Sequence, residues 1–218
     1  MVGHPLAFRA LASGDKAALQ ERLRKNATMI FGIGIPASIG FLMVSGEMAD
    51  VFLGEDFRAA AKALMPWVVL SAFISGVRAH YFDRAFHMAG RNSFLLWTLV
   101  PTLILNVALN YLLVPRYGVI AAAWSACLSY GFSLIGSLFL TRRIFPMPIP
   151  WEDLWKTTTA SLLMAGWIGL AAMAPLAEAW QMLLLKLVAG GLSFALCCYV
   201  FNIAGLGDAV QQRLRARR

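Results

Sequence analysis

Residues 106–130 read NVALNYLLVPRYGVIAAAWSACLSY. The stretch is the end of one apolar run, a short Pro-Arg-Tyr-Gly break and the start of a second run. Twenty-four residues without a charge, Asn92 to Pro115, lead into the break, and twenty-five, Tyr117 to Thr141, lead away from it. A helix that crosses a bilayer needs about 20 mostly apolar residues at a rise of about 1.5 Å each. Two such runs joined by so short a turn read as a transmembrane helical hairpin. Pro115 is expected to stop the first helix, because it lacks an N–H and biases Val114 toward extended backbone. Gly118 gives the turn its conformational freedom, and Ala121-Ala122-Ala123 offers a small face on which another helix can pack closely in lipid.

Composition extends this reading to the whole chain. The 218 residues are 60% hydrophobic and 14% charged, with mean hydropathy +0.68. Soluble domains carry about a quarter charged residues, so the expected fold class is all-α, a polytopic transmembrane bundle of about six spans. Net charge is +8 and pI about 9.9. The cations lie between apolar runs and act as topology determinants rather than as a nucleic-acid face. No nucleic-acid recognition motif accompanies them. Cys127, Cys197 and Cys198 all sit in apolar runs without metal-ligand spacing and read as small buried hydrophobes.

In chain order, residues 1–27 form a basic lead-in, with Ser13-Gly14-Asp15 as a helix N-cap before KAALQERLRK. Four spans follow within residues 28–145, at about 28–53, 60–82, 92–115 and 117–141. The segment 54–62 reads as the start of an interfacial helix. The second span has an uncharged centre of only 15 residues between Lys62 and Arg78, whose long side chains reach toward opposite interfaces. A Pro-rich loop (146–156) precedes a further helix pair within 157–206, and residues 207–218 are a basic tail. Of the 19 Lys and Arg, 15 fall on the side that carries both termini and 4 on the other. That bias makes the termini cytoplasmic.

An ionisable residue inside a span is a functional candidate, because burying it in hydrocarbon is costly. The densest group runs from Arg78 through His80, Asp83 and Arg84 to His87, with Arg91 just beyond. Asp83 has two partners within helical reach, Arg78 and His87. Two readings stand: a cytoplasm-facing vestibule for an anionic headgroup, or basic helix ends meeting lipid phosphates. Glu47 and Asp50 suggest either a cation or proton site or charges already at the outer interface. Asn106 and Asn110 share a helix face, either bonding a neighbouring helix or lining a polar cavity. Pro36, Pro66 and Pro101 interrupt spans and either fix kinks or serve as bending points. Trp67, Trp97, Trp151, Trp155 and Trp180 read as interface anchors. No catalytic constellation and no metal or cofactor motif is present in the sequence, so an enzyme is not expected.

Three further stretches join the hairpin in a family pattern. LNYLLVPRYGVIAAAWSACLSY resembles the N-x-x-L-N-x-x-L-I-P-x-x-G-x-x-G-A-A hairpin of polysaccharide-biosynthesis flippases, the O-antigen and lipid-linked oligosaccharide exporters of the MATE-like superfamily. Pro5 and Ser13-Gly14-Asp15 resemble their cytoplasmic loop. Residues 35–64 are similar to the span that follows it, and Ala89-Gly90-Arg91-Asn92 to the turn before the hairpin. Ala121 departs from the pattern, which carries Gly there. The resemblance covers about residues 1–145 and leaves the last helix pair as an addition.

The resemblance implies the later part of a two-lobed transporter of 12 to 14 spans in a bacterial inner membrane. The N-terminal lobe is then expected in cis or on a separate chain, with this chain a fragment, a mis-called start or one piece of a split transporter. The implied cargo is an undecaprenyl-diphosphate-linked glycan, flipped for lipopolysaccharide or other surface polysaccharide. Arg78, Arg84 and Arg91 would attract its diphosphate. The alternatives are a drug or cation antiporter of the same superfamily, a membrane-embedded enzyme using His80 and Asp83, and a non-transporting assembly subunit.

Overall fold

A computed structural model describes residues 16–174 and 178–201. The Ser13-Gly14-Asp15 cap, Pro5 and the basic tail lie outside the described residues. The described residues are almost entirely helical. Helix α1 covers Lys16–Phe52 and α2 Glu55–Val77. One π-helical turn, Arg78–Phe82, joins α2 to the short α3, Asp83–Met88. Helices α4 (Ser93–Tyr117), α5 (Ile120–Ile144), α6 (Trp151–Ala171) and α7 (Ala179–Val200) complete the order. Among the described residues, five stretches are long and apolar enough to cross a membrane: Ala17–Phe52, Glu55–Met88, Ser93–Tyr117, Ile120–Ile144 and Ala179–Val200. Helix α6 is less apolar, because it opens with Glu152, Asp153, Lys156 and three threonines. The basic run KAALQERLRK and the first apolar stretch form one continuous helix.

Two compact units divide the described chain. The first comprises residues up to Ile30 and Trp67–Pro150, and the second Phe31–Pro66 and the residues from Trp151 on. In the first unit α4 and α5 form the hairpin. The turn between them corrects one expectation. Helix α4 runs through Pro115 to Tyr117. In the last turn the proline removes a single bond, the one its N–H would have given to the Tyr111 carbonyl, and the rest of the turn holds. The chain reverses at Gly118, where φ is +68° and ψ −157°, a region that only glycine occupies without strain. Gly118 N–H still bonds the Val114 carbonyl.

The first unit is packed inside out relative to a soluble protein. The buried face of α5 holds Ala121, Ala123, Ser125, Cys127, Ser129, Ser133, Ser137 and Thr141, while Leu128, Phe132, Ile135 and Phe139 face outward. Lipid solvates leucine as well as a core does, so helix association rests on close approach of small groups and on hydrogen bonds. Cys127 donates from Sγ to the Trp67 carbonyl at 3.0 Å, and Trp124 packs between Trp67 and Tyr117. At the other end of the unit, Leu19 and Leu23 of α1 pack on Met88, Phe145 and Met147. The Tyr81 hydroxyl donates to the Pro148 carbonyl, which ties the Pro-rich loop to the π turn.

In the second unit α6 packs along α7. Gly190 permits the approach, since a Cβ there would stand 2.8 Å from Ile168 Cδ1. An apolar groove of about 560 Å³ runs between these helices and the second half of α1, lined by Ala37, Phe41, Val44, Met164, Leu183 and Gly190 among others. Cys197 and Cys198 are half-buried, where burial was expected, because α7 keeps much of its surface outward.

Candidate functional site

The polar centre of the first unit is built on the π turn. An α-helix sets residues three and four apart over one another, whereas a π turn bonds i to i+5. The N–H of Asp83 bonds the Arg78 carbonyl, so these two side chains are brought to one face. That settles the partner of Asp83. Arg78 Nη2 lies 3.7 Å from Asp83 Oδ2, with both side chains about nine-tenths buried. The pair is completed from α5. Arg78 Nη1 donates to Ser133 Oγ at 2.7 Å, and Ser137 Oγ donates to Asp83 Oδ1 at 3.2 Å. Ser133 in turn lies 3.5 Å from the Thr98 carbonyl of α4. Two atoms of this region have no partner: Arg78 Nε and Ser129 Oγ. A buried ion pair of this kind is held by its added hydrogen bonds, since desolvation offsets most of the direct attraction.

The remaining candidates lie apart from this pair. His80, His87 and Arg91 are exposed and Arg84 is half-buried. His87 Nδ1 stands 2.9 Å from Asn92 Oδ1. The cluster therefore splits into a buried pair and an exposed cationic rim, because the π turn rotates the residues after it relative to α2. Asn106 and Asn110 share a face, as their spacing requires. The Asn110 side-chain amide donates to the Asn106 carbonyl at 2.8 Å and stands 3.1 Å from its side-chain oxygen. Pro36, Pro66 and Pro101 all lie inside helices. Trp97, Trp151, Trp155 and Trp180 are more than half exposed.

A second ion pair sits in the other unit. Lys186 Nζ donates to Glu47 Oε1 at 2.6 Å and to the Met43 carbonyl at 3.3 Å. Its side chain is 8% exposed, and it supplies the one charged group lining the apolar groove. Glu47 Oε2 is buried without a partner. Asp50 pairs instead with Lys62 at 2.8 Å on the surface. Lys186 was not singled out in the sequence, because its partner lies 139 positions away. The π turn and the hydroxyl face of α5 were also missed. The second leaves a plain trace, Ser or Thr at every fourth position from 125 to 141.

Five described helical stretches long enough to cross a membrane, a buried Arg–Asp pair and a cationic rim narrow the comparison with known proteins. Residues 5–192 match the family described as "Lipid II flippase MurJ". The chain belongs to the MurJ family. MurJ-family proteins are transporters rather than catalysts. A curated relative, described as "Probable low-salt glycan biosynthesis flippase Agl15" of Haloferax volcanii, is 23% identical over 156 residues, covering 71% of this chain and 32% of the relative. A solved structure, the lipid II flippase MurJ in an inward closed conformation, superposes with a TM-score of 0.76 at 16% identity. That alignment covers 92% of this chain and 42% of the solved one. This MurJ-family chain thus spans less than half the length of the proteins it matches, and the MurJ likeness of its fold reaches into the last helix pair.

Proposed function

We propose that this chain forms the later part of a flippase that moves a lipid-linked, diphosphate-bearing glycan between the leaflets of a bacterial cytoplasmic membrane. The observation that carries the reading is the family match over residues 5–192. Within the family the lipid II type of cargo is favoured over the O-antigen type expected from the hairpin motif. The Agl15 likeness keeps the wider class of lipid-linked glycans in view. No bond is made or broken in such a process. Other spans, in cis or on a separate chain, supply the opposite wall of the cavity. With the termini cytoplasmic, Arg84 and Arg91 are the cations available to meet the diphosphate, since guanidinium forks match phosphate oxygens. Arg78 is committed to Asp83 and Ser133. Asn106 and Asn110 line the face of α4 that a polar cargo would pass.

Native mass spectrometry of the purified chain tests this reading. The probes are lipid II, an undecaprenyl-diphosphate oligosaccharide and phosphatidylglycerol. Both diphosphate lipids are expected to bind at least tenfold more tightly than phosphatidylglycerol, and Arg84→Ala with Arg91→Ala to abolish most of the difference. Equal binding of all three lipids by the unmodified chain would sink the proposal.

A further inference from the structure

Down the packed face of α5 a hydroxyl recurs at every fourth residue: Ser125, Ser129, Ser133, Ser137 and Thr141, each at most 1% exposed. Four residues of α-helix advance about 6 Å, so these groups are evenly spaced rungs. Ala121 continues the same face, and beside it Trp124 rests on Trp67 of α2. Two adjacent rungs are engaged by the rod formed by α2, the π turn and α3. Ser133 accepts from Arg78 and Ser137 donates to Asp83. The next rung toward Ala121 is Ser129, whose Oγ is buried and unpartnered, as is Arg78 Nε. Ser125 and Thr141, in contrast, bond carbonyls of their own helix.

We infer that this interface has a second register, displaced one helical turn, in which Arg78 rests on Ser129 and Asp83 on Ser133. The chemistry is the same in both registers, because a hydroxyl both donates and accepts. Ser133 merely changes from acceptor for Arg78 to donor for Asp83. The two charges travel together, so neither is uncovered on the way. Packed helix faces that offer two discrete arrangements move by such one-turn steps rather than by continuous deformation. At the end of the rod, Gly90, with φ +65°, provides a turn free to follow. The second register is a property of helix packing and is independent of what the protein carries.

Pulsed electron-electron spin resonance on the full chain in lipid bilayers reads the register directly. Spin labels go on His87→Cys and Val119→Cys, both exposed positions, with Cys127, Cys197 and Cys198 replaced by Ala. The rod runs parallel to α5, so the one-turn step brings His87 toward Val119. Two distances separated by about 6 Å are expected. Ser129→Ala should deplete the shorter one and leave the longer unchanged. Ser129→Asp, which offers Arg78 a carboxylate on the second rung, should make the shorter one predominant. A single distance common to all three proteins overturns the second register, as do two distances whose populations ignore Ser129→Ala. Should Ser129→Asp fail to fold, the parent and Ser129→Ala distributions decide the matter.

Discussion

Lys186 and Glu47 show how a single side chain is held in a bundle that offers it no water. The lysine reaches two oxygens, and its stem lies along the apolar groove. Removing one partner leaves a buried charge uncompensated, which costs about 3–5 kcal/mol, whereas replacing both by apolar groups is often neutral. Lys186→Met is therefore expected to lower the thermal unfolding midpoint in detergent markedly. Lys186→Met combined with Glu47→Leu should recover most of that loss. A double variant as unstable as the sum of its singles would refute the coupling. Sequence reading singled out Glu47 and could not find its partner, since nothing local connects positions 139 apart. For Asp83 it came closer, with Arg78 and His87 as the two candidates within reach. The choice between them turns on one extra residue in a helical turn, and RAHYF carries no composition that announces a π bond.

Among the elements, the α4–α5 hairpin was the most legible and its stop signal the least. The uncharged runs give both helices, yet Pro115 lies inside α4, and Gly118 sets the reversal through its backbone angles. Gly118→Ala is expected to cost about 1–3 kcal/mol, the penalty for a side chain in that region of backbone space. Pro115→Ala should be neutral or slightly stabilising, because it restores an N–H for the Tyr111 carbonyl. Thermal unfolding of the two variants in the same detergent checks both. The opposite order, with the proline substitution the more damaging, would restore Pro115 as the terminator. Helix α5 was read for its alanines and cysteine, while its packing depends on hydroxyls. A search for charges passes over serine, whose role at a helix contact shows only when its four-residue spacing is counted.

At the scale of the molecule, membrane class and helical architecture followed from composition and run length, and the broad flippase class from the order of four motifs, with the MurJ family in place of the O-antigen exporters those motifs suggested. From the 15-to-4 distribution of cations we propose that both termini face the cytoplasm, and labelling tests it. In a cysteine-free chain, His87→Cys is expected to react with a membrane-impermeant maleimide only from the cytoplasmic side, and Val119→Cys only from the other. Reaction of both from one side would remove the orientation. The division into two units escaped the sequence, because α1 and α2 each pass from one unit to the other without a break in helix. One feature of the first unit also bears on how the chain is made. Mean hydropathy of α5 is 1.4, the lowest of the five candidate spans, because hydroxyls fill the face that α4 and the α2–α3 rod cover. Arriving alone at the insertion machinery, α5 partitions into lipid less readily than the helices around it. Its release into the bilayer is favoured by α4 already waiting beside it, so the hairpin is the unit of biogenesis as well as of packing.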